Sequence, residues 1–297
     1  MLHKQIFSML SGIFEIKVPH NKSMKSSVIL LSILIATTCF SFAQEAPTTR
    51  EMNLINWMEF AEFVPDQIET VLLPVGTLEP HGVIPNGADN LAPERMAKEF
   101  AGELNAMIAP TLNYGMTGSL QAYPGAFAIS EEAYELFVSD IINGLAGNKF
   151  KNIIILNGHG GPQTAILQSI AAKLSPELRV RIMVINWWSV VSEDTFAVFG
   201  ENGGHSGNNE TAYIQAIVPE HIHKDRYTGE EMTTAYPAGS TWSAYPFPSS
   251  IGLYEPGQGY PTFSEDQATE YYEKVNTRVF NLIEGIIEKW DLAKLYR

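Results

Sequence analysis

Histidine and carboxylate side chains recur in three separate loops of this sequence, and both are ligands that bind divalent metal ions. The loops read TLEPHGVIPNGAD, NGHGG and GGHSGNNE. The first follows an apolar run, where carboxylates are costly unless something positive binds to them. The candidate metal-binding and catalytic residues in the three loops are Glu79, His81, Asp89, His159, His205 and Glu210.

Each motif alone also has an ordinary structural explanation. A histidine beside carboxylates could be a hydrogen-bonded core residue, Glu79 and His81 could belong to a polar loop, and Asp89 could cap the helix that follows it. However, three of the five histidines after residue 43 fall in these loops. Glu79 and His81 are two residues apart, which places both side chains on one side of an extended segment. The coincidence favours a metal site.

Two other chemistries match the loops less well. The glycines of NGHGGP could hold a phosphate at a helix amino terminus, but neither a Lys-Ser/Thr pair nor GxGxxG spacing accompanies them. GGHSG suggests a nucleophilic Ser206, but residue 208 is Asn, so the pattern is not GxSxG. Nucleotide binding and serine hydrolysis are therefore disfavoured.

The amino terminus is typical of a secretory signal peptide. From Met24 the chain has a lysine, an apolar run over residues 28–35 and small residues that end at Ala43, which predicts cleavage after Ala43. The run is short for a membrane span, although an uncleaved anchor is the alternative. Residues 1–23 precede this better start and are interpreted as an over-extended gene start. We expect a periplasmic or secreted protein.

Without residues 1–43 the chain is strongly acidic. That segment holds four of the 19 basic and one of the 33 acidic residues, which leaves 15 and 32 and a net charge of −17. This charge disfavours nucleic acid and anionic lipid as partners, so we expect neither, and no membrane association after signal cleavage. The only cysteine, Cys39, lies in the same segment behind a weak lipid-attachment box, so a soluble product is favoured over a lipoprotein. Any metal must be bound by histidines and carboxylates.

Apolar patterns alternate between strand and helix along residues 44–297, which predicts one α/β domain with a mostly parallel sheet covered on both faces. Ligands of such sheets collect at the carboxyl ends of the strands, where we expect the three loops to meet. The predicted strands are 70–75, 106–109, 153–156 and 180–185. The predicted helices are 51–60, 91–104, one that starts at 130, 162–174, 207–218 and 264–290. Substrate specificity is predicted to be determined by segments 187–201 and 228–261. The second of these is predicted to be a long proline-rich loop.

The three motifs together resemble the creatininase family of metal-dependent amidohydrolases. The resemblance rests on PVGTLEPHG with Asp89 eight residues after His81, NGHGG after an apolar strand, and GHSGNNET at the start of a helix. It covers about residues 71–261. It implies a three-layer α/β/α fold with a mostly parallel central sheet, one or two divalent ions, hydrolysis of C–N bonds in cyclic or formyl amides or small peptides, and a homo-oligomer, a hexamer in some members.

The resemblance also implies a role for each candidate. Asp89 matches the aspartate that bridges two metals, Glu210 either completes the metal shell or carries protons, and His205 could donate a proton to the leaving nitrogen. Asn157 would support the metal ligands without binding the metal itself. The implied metal ligands are Glu79, His81, Asp89, His159 and Glu210, and the implied catalytic residues are His205 and Glu210.

Two departures from creatininase argue against creatinine itself as the substrate. Gly161 stands where creatininase has a carboxylate, and Glu201 stands where it has a tryptophan. The predicted function is therefore hydrolysis of a non-peptide or cyclic amide C–N bond in a small molecule by a metal-activated water. Zn or Mn suits the ligands best, and Fe suits them next. The alternatives are a degenerate ligand-binding or structural member of the same fold, and a metal-dependent lactone hydrolase.

Overall fold

The computed structural model describes residues 46–227, 233–235, 252–254 and 258–296. The predicted signal peptide, residues 1–43, lies outside these ranges, and so does most of the predicted loop 228–261. Within that loop, Thr233–Ala235 and Gly252–Tyr254 form a separate pair of parallel strands. No helix in the described ranges is both long and apolar enough to cross a membrane.

Four parallel strands form the central sheet in the spatial order β2, β1, β3, β4. The two middle strands are paired along their full lengths, so the loops that follow them leave the sheet side by side. This register places the first two candidate loops at one edge of the sheet. The strands are β1 Thr70–Val75, β2 Ala106–Ile108, β3 Asn152–Asn157 and β4 Arg181–Asn186.

Helices connect the strands and follow the last of them. The first strand leads to α2, the third leads to α4, and the fourth runs directly into two short helices that the sequence did not predict. The helices of the described residues are α1 Trp57–Phe63, α2 Ala88–Phe100, α3 Glu131–Gly147, α4 Gly161–Leu178, α5 Trp187–Val190, α6 Ser192–Phe199, α7 Asn208–Ile217 and α8 Glu265–Leu292.

Apolar side chains cover both faces of the sheet because successive strand residues point to opposite sides. On one face Leu72 and Ile154 pack in a cluster with residues of α2, α7 and α8. On the other face Leu73 and Ile155 pack with residues of α3 and α4. The predicted three-layer α/β/α arrangement is confirmed. β1 and β3 are buried throughout, which explains why they read as continuous apolar runs.

The predicted starts of two helices are wrong. The chain from Glu51 does not begin a helix, because Glu51 pairs with Ile108 and the Met52 N–H donates to the Ile108 carbonyl at 2.9 Å. Instead α1 begins after Asn56, whose side chain accepts the N–H groups of the first turn. The second helix, α2, begins at Ala88 rather than at residue 91. Asp89 therefore lies inside the first helical turn.

Candidate metal centre

The three loops converge at the carboxyl edge of the sheet and bring all six candidate side chains together. Two candidates lie in the loop after β1, one in the first turn of α2, one in the loop after β3, and two around the start of α7. Three groups among them have nitrogen and oxygen atoms within 4.8 Å of one another: Glu79 with His81 and His205, Glu79 with Asp89 and His159, and His81 with Asp89 and Glu210.

Asp89 lies at the centre of this cluster and is almost completely buried. Its Oδ1 is 3.0 Å from His81 Nε2, and its Oδ2 is 2.8 Å from His159 Nδ1. The position before α2 that a capping side chain would occupy is Gly87, and no side chain caps that helix. Asp89 therefore contacts the histidines of the cluster and does not cap the helix.

The other two carboxylates approach the same histidines. Glu79 Oε1 lies 3.3 Å from His159 Nδ1 and 3.4 Å from His205 Nδ1. Its second oxygen, Oε2, is buried without a hydrogen-bond partner among the described residues. Glu210 Oε2 lies 3.6 Å from His81 Nε2 and accepts the Ser206 N–H at 2.7 Å, which fixes the carboxylate at the start of α7.

Each of the three histidine rings has one nitrogen bound to a backbone carbonyl on the outside of the cluster. Because a carbonyl oxygen only accepts, that nitrogen carries the hydrogen in the neutral ring, and the lone pair of the other nitrogen points inward. Metal-binding histidines in proteins are held in this way. The three bonds are His81 Nδ1 to the Glu79 carbonyl at 3.0 Å, His159 Nε2 to the Met116 carbonyl at 2.8 Å, and His205 Nε2 to the Pro80 carbonyl at 2.7 Å.

Inward lone pairs that face carboxylate oxygens repel them unless a proton or a metal ion lies between. His81 Nε2 has no aligned hydrogen bond even though Asp89 Oδ1 is 3.0 Å away. Together with the unpartnered oxygen of Glu79, this is the geometry expected of atoms that bind metal ions. The donor set therefore fits a divalent metal that binds nitrogen and oxygen.

In the metal-free chain, bound protons offset the repulsion between the histidine nitrogens and the carboxylate oxygens. Burial opposes the charging of His81, but Asp89 outweighs it and, with Glu210, raises the pKa of His81 to about 10. Burial likewise opposes the charging of His159, and hydrogen bonds to Asp89 and Glu79 raise its pKa well above the usual value. Burial raises the pKa of Glu210 to about 7. A metal ion would have to displace these protons.

His205 behaves differently from the other two rings. Burial, and then the charge on His81, lower the pKa of His205 to about 3, so its imidazole is neutral. Its approach to Glu79 is consequently not an ion pair, despite the short distance. The ring packs against that of His81, with the centroids 4.3 Å apart.

Two glycines allow the loops to approach Asp89. A Cβ atom at Gly158 would lie 1.9 Å from the Asp89 carbonyl oxygen, and one at Gly76 would lie 2.2 Å from it. Both positions therefore exclude any larger residue at the present spacing. The sequence did not indicate this role: the glycines of NGHGGP were considered only for phosphate binding, and Gly76 was not singled out.

A cavity of about 430 Å³ opens beside the cluster. The predicted substrate segment 187–201 contributes Trp188, Ser189, Ser192 and Thr195 to its wall. The wall also includes residues 116–118 and Leu120, a contribution that the sequence did not indicate. The lining contains no Lys or Arg within the part of the chain that the structure describes.

A parallel α/β sheet with histidines and carboxylates gathered at its carboxyl edge defines a class of metal-binding α/β proteins. A family model named Creatininase and described as creatinine amidohydrolase matches residues 53–283. The chain belongs to the creatininase family. The predicted family is thereby confirmed.

Curated relatives differ in the substrates for which they are named. A 3-dehydro-scyllo-inosose hydrolase of Thermotoga maritima is 27% identical over 58% of this chain and 58% of its own length. A creatinine amidohydrolase of Pseudomonas putida is 26% identical over 62% of this chain and 77% of its own. A mycofactocin precursor peptide peptidase of Mycolicibacterium smegmatis is 28% identical over 53% and 62%. The chain thus matches less than two thirds of the length of the first and third of these relatives.

Solved structures share the fold. One described as "Creatininase Mn" has a TM-score of 0.68 at 21% identity and covers 80% of this chain and 98% of its own. A mutant creatininase described as "Zn-Zn type" has the same TM-score at 20% identity. A putative creatinine amidohydrolase of Bacteroides fragilis has a TM-score of 0.66 at 20% identity and covers 81% of this chain and 96% of its own.

Proposed function

We propose that this protein is a metal-dependent hydrolase that cleaves a C–N bond of a small amide. The observation that carries the proposal is the orientation of the three histidine rings, each bound outside to a carbonyl and directed inside at buried carboxylates. Divalent ions would neutralise a group of charges that is otherwise costly to bury. Membership of the creatininase family supports the same function.

The cluster offers two ion positions that share Asp89. One consists of Glu79, Asp89 and His159, and the other of His81, Asp89 and Glu210. The two oxygens of Asp89 face different histidines, so Asp89 would contribute to either position, and we propose one or two ions per chain. Nitrogen and carboxylate ligands suit Zn or Mn, with Fe as a further option. The structures described as Zn-Zn type and Mn support this choice.

The bound ions and the protein residues around them would have separate roles in the reaction. Bound ions would polarise the amide carbonyl and lower the pKa of a water molecule. His205 lines the cavity, and the Pro80 carbonyl fixes its tautomer, so Nδ1 is the ring nitrogen that would pass a proton to the leaving nitrogen. The Ser206 N–H holds Glu210 in place as the outer carboxylate of the second ion position.

The substrate that we propose is a non-peptide or cyclic amide. A cavity of about 430 Å³ admits a small molecule, and its described lining has no Lys or Arg to pair with an acidic group. Gly161 and Glu201, which differ from creatininase, favour a substrate other than creatinine. Because the relatives are named for creatinine, a peptide and an inosose, family membership does not select among amides.

A metal-dependent lactone hydrolase is the second candidate. It would use the same ions and the same proton carrier, and the Thermotoga maritima relative is named for a dehydro-inosose instead of an amide. A degenerate binding protein is less favoured, because all six candidate side chains are present and each belongs to a group of three whose ligand atoms lie within 4.8 Å of one another.

We further propose that the protein acts in the periplasm or outside the cell after cleavage following Ala43, as a homo-oligomer. The support is the amino-terminal pattern of charge and apolar residues and, for the oligomer, the family resemblance alone. Mass spectrometry of the exported protein tests the cleavage, with an amino terminus at Gln44 as the expected result. A chain that retains residues 28–35 would contradict it.

A substrate screen tests the proposed activity. The metal-loaded protein, the chelator-treated protein and Asp89→Ala should each be incubated with cyclic amides, formamides, small peptides and lactones. We expect amide hydrolysis by the loaded protein alone. Hydrolysis of lactones but not of amides would favour the second candidate. Full activity in metal-stripped Asp89→Ala would contradict both.

A further inference from the structure

Gln163 is a completely buried amide side chain in the first turn of α4, beside the candidate metal centre. Its Oε1 accepts the Met116 N–H at 3.1 Å, and its Nε2 donates to Asn157 Oδ1 at 3.1 Å. Burial of an amide group is costly unless such bonds offset the loss of water. A polar residue in this position therefore needs these two partners.

Both partners of Gln163 contact His159. The Met116 carbonyl accepts the hydrogen of His159 Nε2 at 2.8 Å. Asn157 accepts the His159 backbone N–H at 3.2 Å and donates to the His159 carbonyl at 2.7 Å. Gln163 thus closes a ring of hydrogen bonds that passes through both the imidazole and the backbone of this metal-ligand candidate.

The surrounding backbone approaches the Gln163 amide closely. A Cβ atom at Gly115 would lie 2.0 Å from Gln163 Oε1, so only a glycine allows this contact at the observed spacing. The Gly115 N–H donates to Thr77 Oγ1 at 3.2 Å, in the loop that follows β1. The amide of Gln163 therefore joins the segment around residue 115 to the loop after β3, and both segments contribute to the site.

We propose that Gln163 is a positioning residue for His159. Gln163 accepts a hydrogen bond from the Met116 N–H and donates one to Asn157 Oδ1. These two bonds fix the ring orientation that directs His159 Nδ1 at Asp89 Oδ2. This inference rests on the proposed metal-dependent function. Substitution of a residue that orients a metal-binding histidine typically weakens metal affinity by about 10–100-fold. Because Gln163 acts through two intermediate residues, we expect the lower end of that range.

Metal affinity of the whole protein is the test, measured by competition between the protein and a chelator for Zn²⁺. Gln163→Met keeps the approximate shape of the side chain and removes both hydrogen bonds. We expect it to weaken Zn²⁺ binding about tenfold and to lower kcat. Gln163→Asn, whose amide is too short to reach both partners, provides a second variant and should also weaken binding.

Leu167→Ala is the matched control. Leu167 lies one turn further along α4 and is completely buried in the apolar cluster, away from the hydrogen-bond ring. This variant should lower the Tm at least as much as the Gln163 variants while it leaves Zn²⁺ affinity unchanged.

Wild-type Zn²⁺ affinity in either folded Gln163 variant would overturn the positioning role, and a fall in Tm alone would then mark Gln163 as purely structural. Failure of the wild-type protein to bind any metal would instead contradict the proposed function. The two failures are therefore distinguishable.

Discussion

At the level of single residues, the bonds on the outer side of each imidazole distinguish the roles of the histidines. His159 and His81 point their inner nitrogens at Asp89, at 2.8 and 3.0 Å, whereas His205 Nδ1 lies 3.4 Å from Glu79 and the ring lines the cavity. The first two positions suit metal ligands. The third suits a group that exchanges a proton with the substrate.

This difference predicts opposite results for two variants. His159→Gln should lose bound metal, because it removes one of the three groups at its ion position. His205→Gln should keep the metal and lower kcat by about 10²–10⁴, the usual contribution of a general acid or base. Metal analysis and steady-state kinetics on both proteins provide the measurement. Equal loss of metal from His205→Gln would make His205 a ligand instead of a proton carrier.

The protons held by the metal-free cluster predict how metal stabilisation depends on pH. The pKa of His81 is raised to about 10, so its contribution to stability is complete below the ordinary value of about 6.5 and is lost as the pH rises through 10. The pKa of His159 is raised as well, so its contribution to stability has the same sign. The pKa of His205 is lowered to about 3, so this ring contributes no pH dependence above about pH 7. Metal ions bind only the deprotonated rings.

The rise in Tm on adding Zn²⁺ should therefore be larger at about pH 8 than at about pH 6.5. In the same interval the Tm of the chelator-treated protein should fall, because histidines of the unfolded chain lose their protons near pH 6.5 whereas His81 and His159 of the folded chain retain theirs. Thermal unfolding with and without metal at the two pH values gives the result. A stabilisation that is independent of pH would show that these histidines do not bind the ion.

At the level of elements, the site depends on how closely the loop after β3 approaches the first turn of α2. Gly158→Ala should push these elements apart, because its Cβ would lie 1.9 Å from the Asp89 carbonyl oxygen and 2.8 Å from Pro93. We expect a loss of about 1–3 kcal/mol in the free energy of unfolding, together with weaker Zn²⁺ binding. Urea unfolding and chelator competition measure the two effects.

Gly144→Ala is the control for this prediction. Gly144 lies in α3, and a Cβ atom there would meet no heavy atom within 4 Å. Alanine should stabilise that helix by about 0.5–1 kcal/mol without an effect on metal binding. If Gly158→Ala were equally harmless, the close approach of the two elements would not matter for the site.

Helix and strand predictions from the sequence succeeded where a local pattern determined the structure. The apolar run at Thr70–Val75 and the long amphipathic helix that begins after Ser264 have the predicted positions, and Ser264 caps that helix by accepting the Gln267 N–H. The helix predicted to start at Glu51 failed because a partner distant in sequence, Ile108, pairs with that segment. Such pairing leaves no local pattern.

At the level of the whole molecule, the three loops could be assigned to one site because parallel sheets gather their loops at one edge. All six candidates lie in the cluster. The family resemblance indicated one supporting residue, Asn157, which hydrogen-bonds to the backbone of His159. Met116 and Gln163 could not be predicted, because Met116 acts through a backbone carbonyl and Gln163 through contacts that exist only in the folded chain. Likewise, Leu120 lines the cavity from a loop whose sequence shows no functional pattern.

The metal content of the purified protein tests the central claim most directly. Elemental analysis before and after treatment with a chelator, and again after addition of Zn²⁺ or Mn²⁺, should show one or two ions per chain that are removed and restored together with hydrolytic activity. Less than about half an ion per chain, with no gain on adding either metal, would contradict the account, because the buried histidines and carboxylates would then have another purpose.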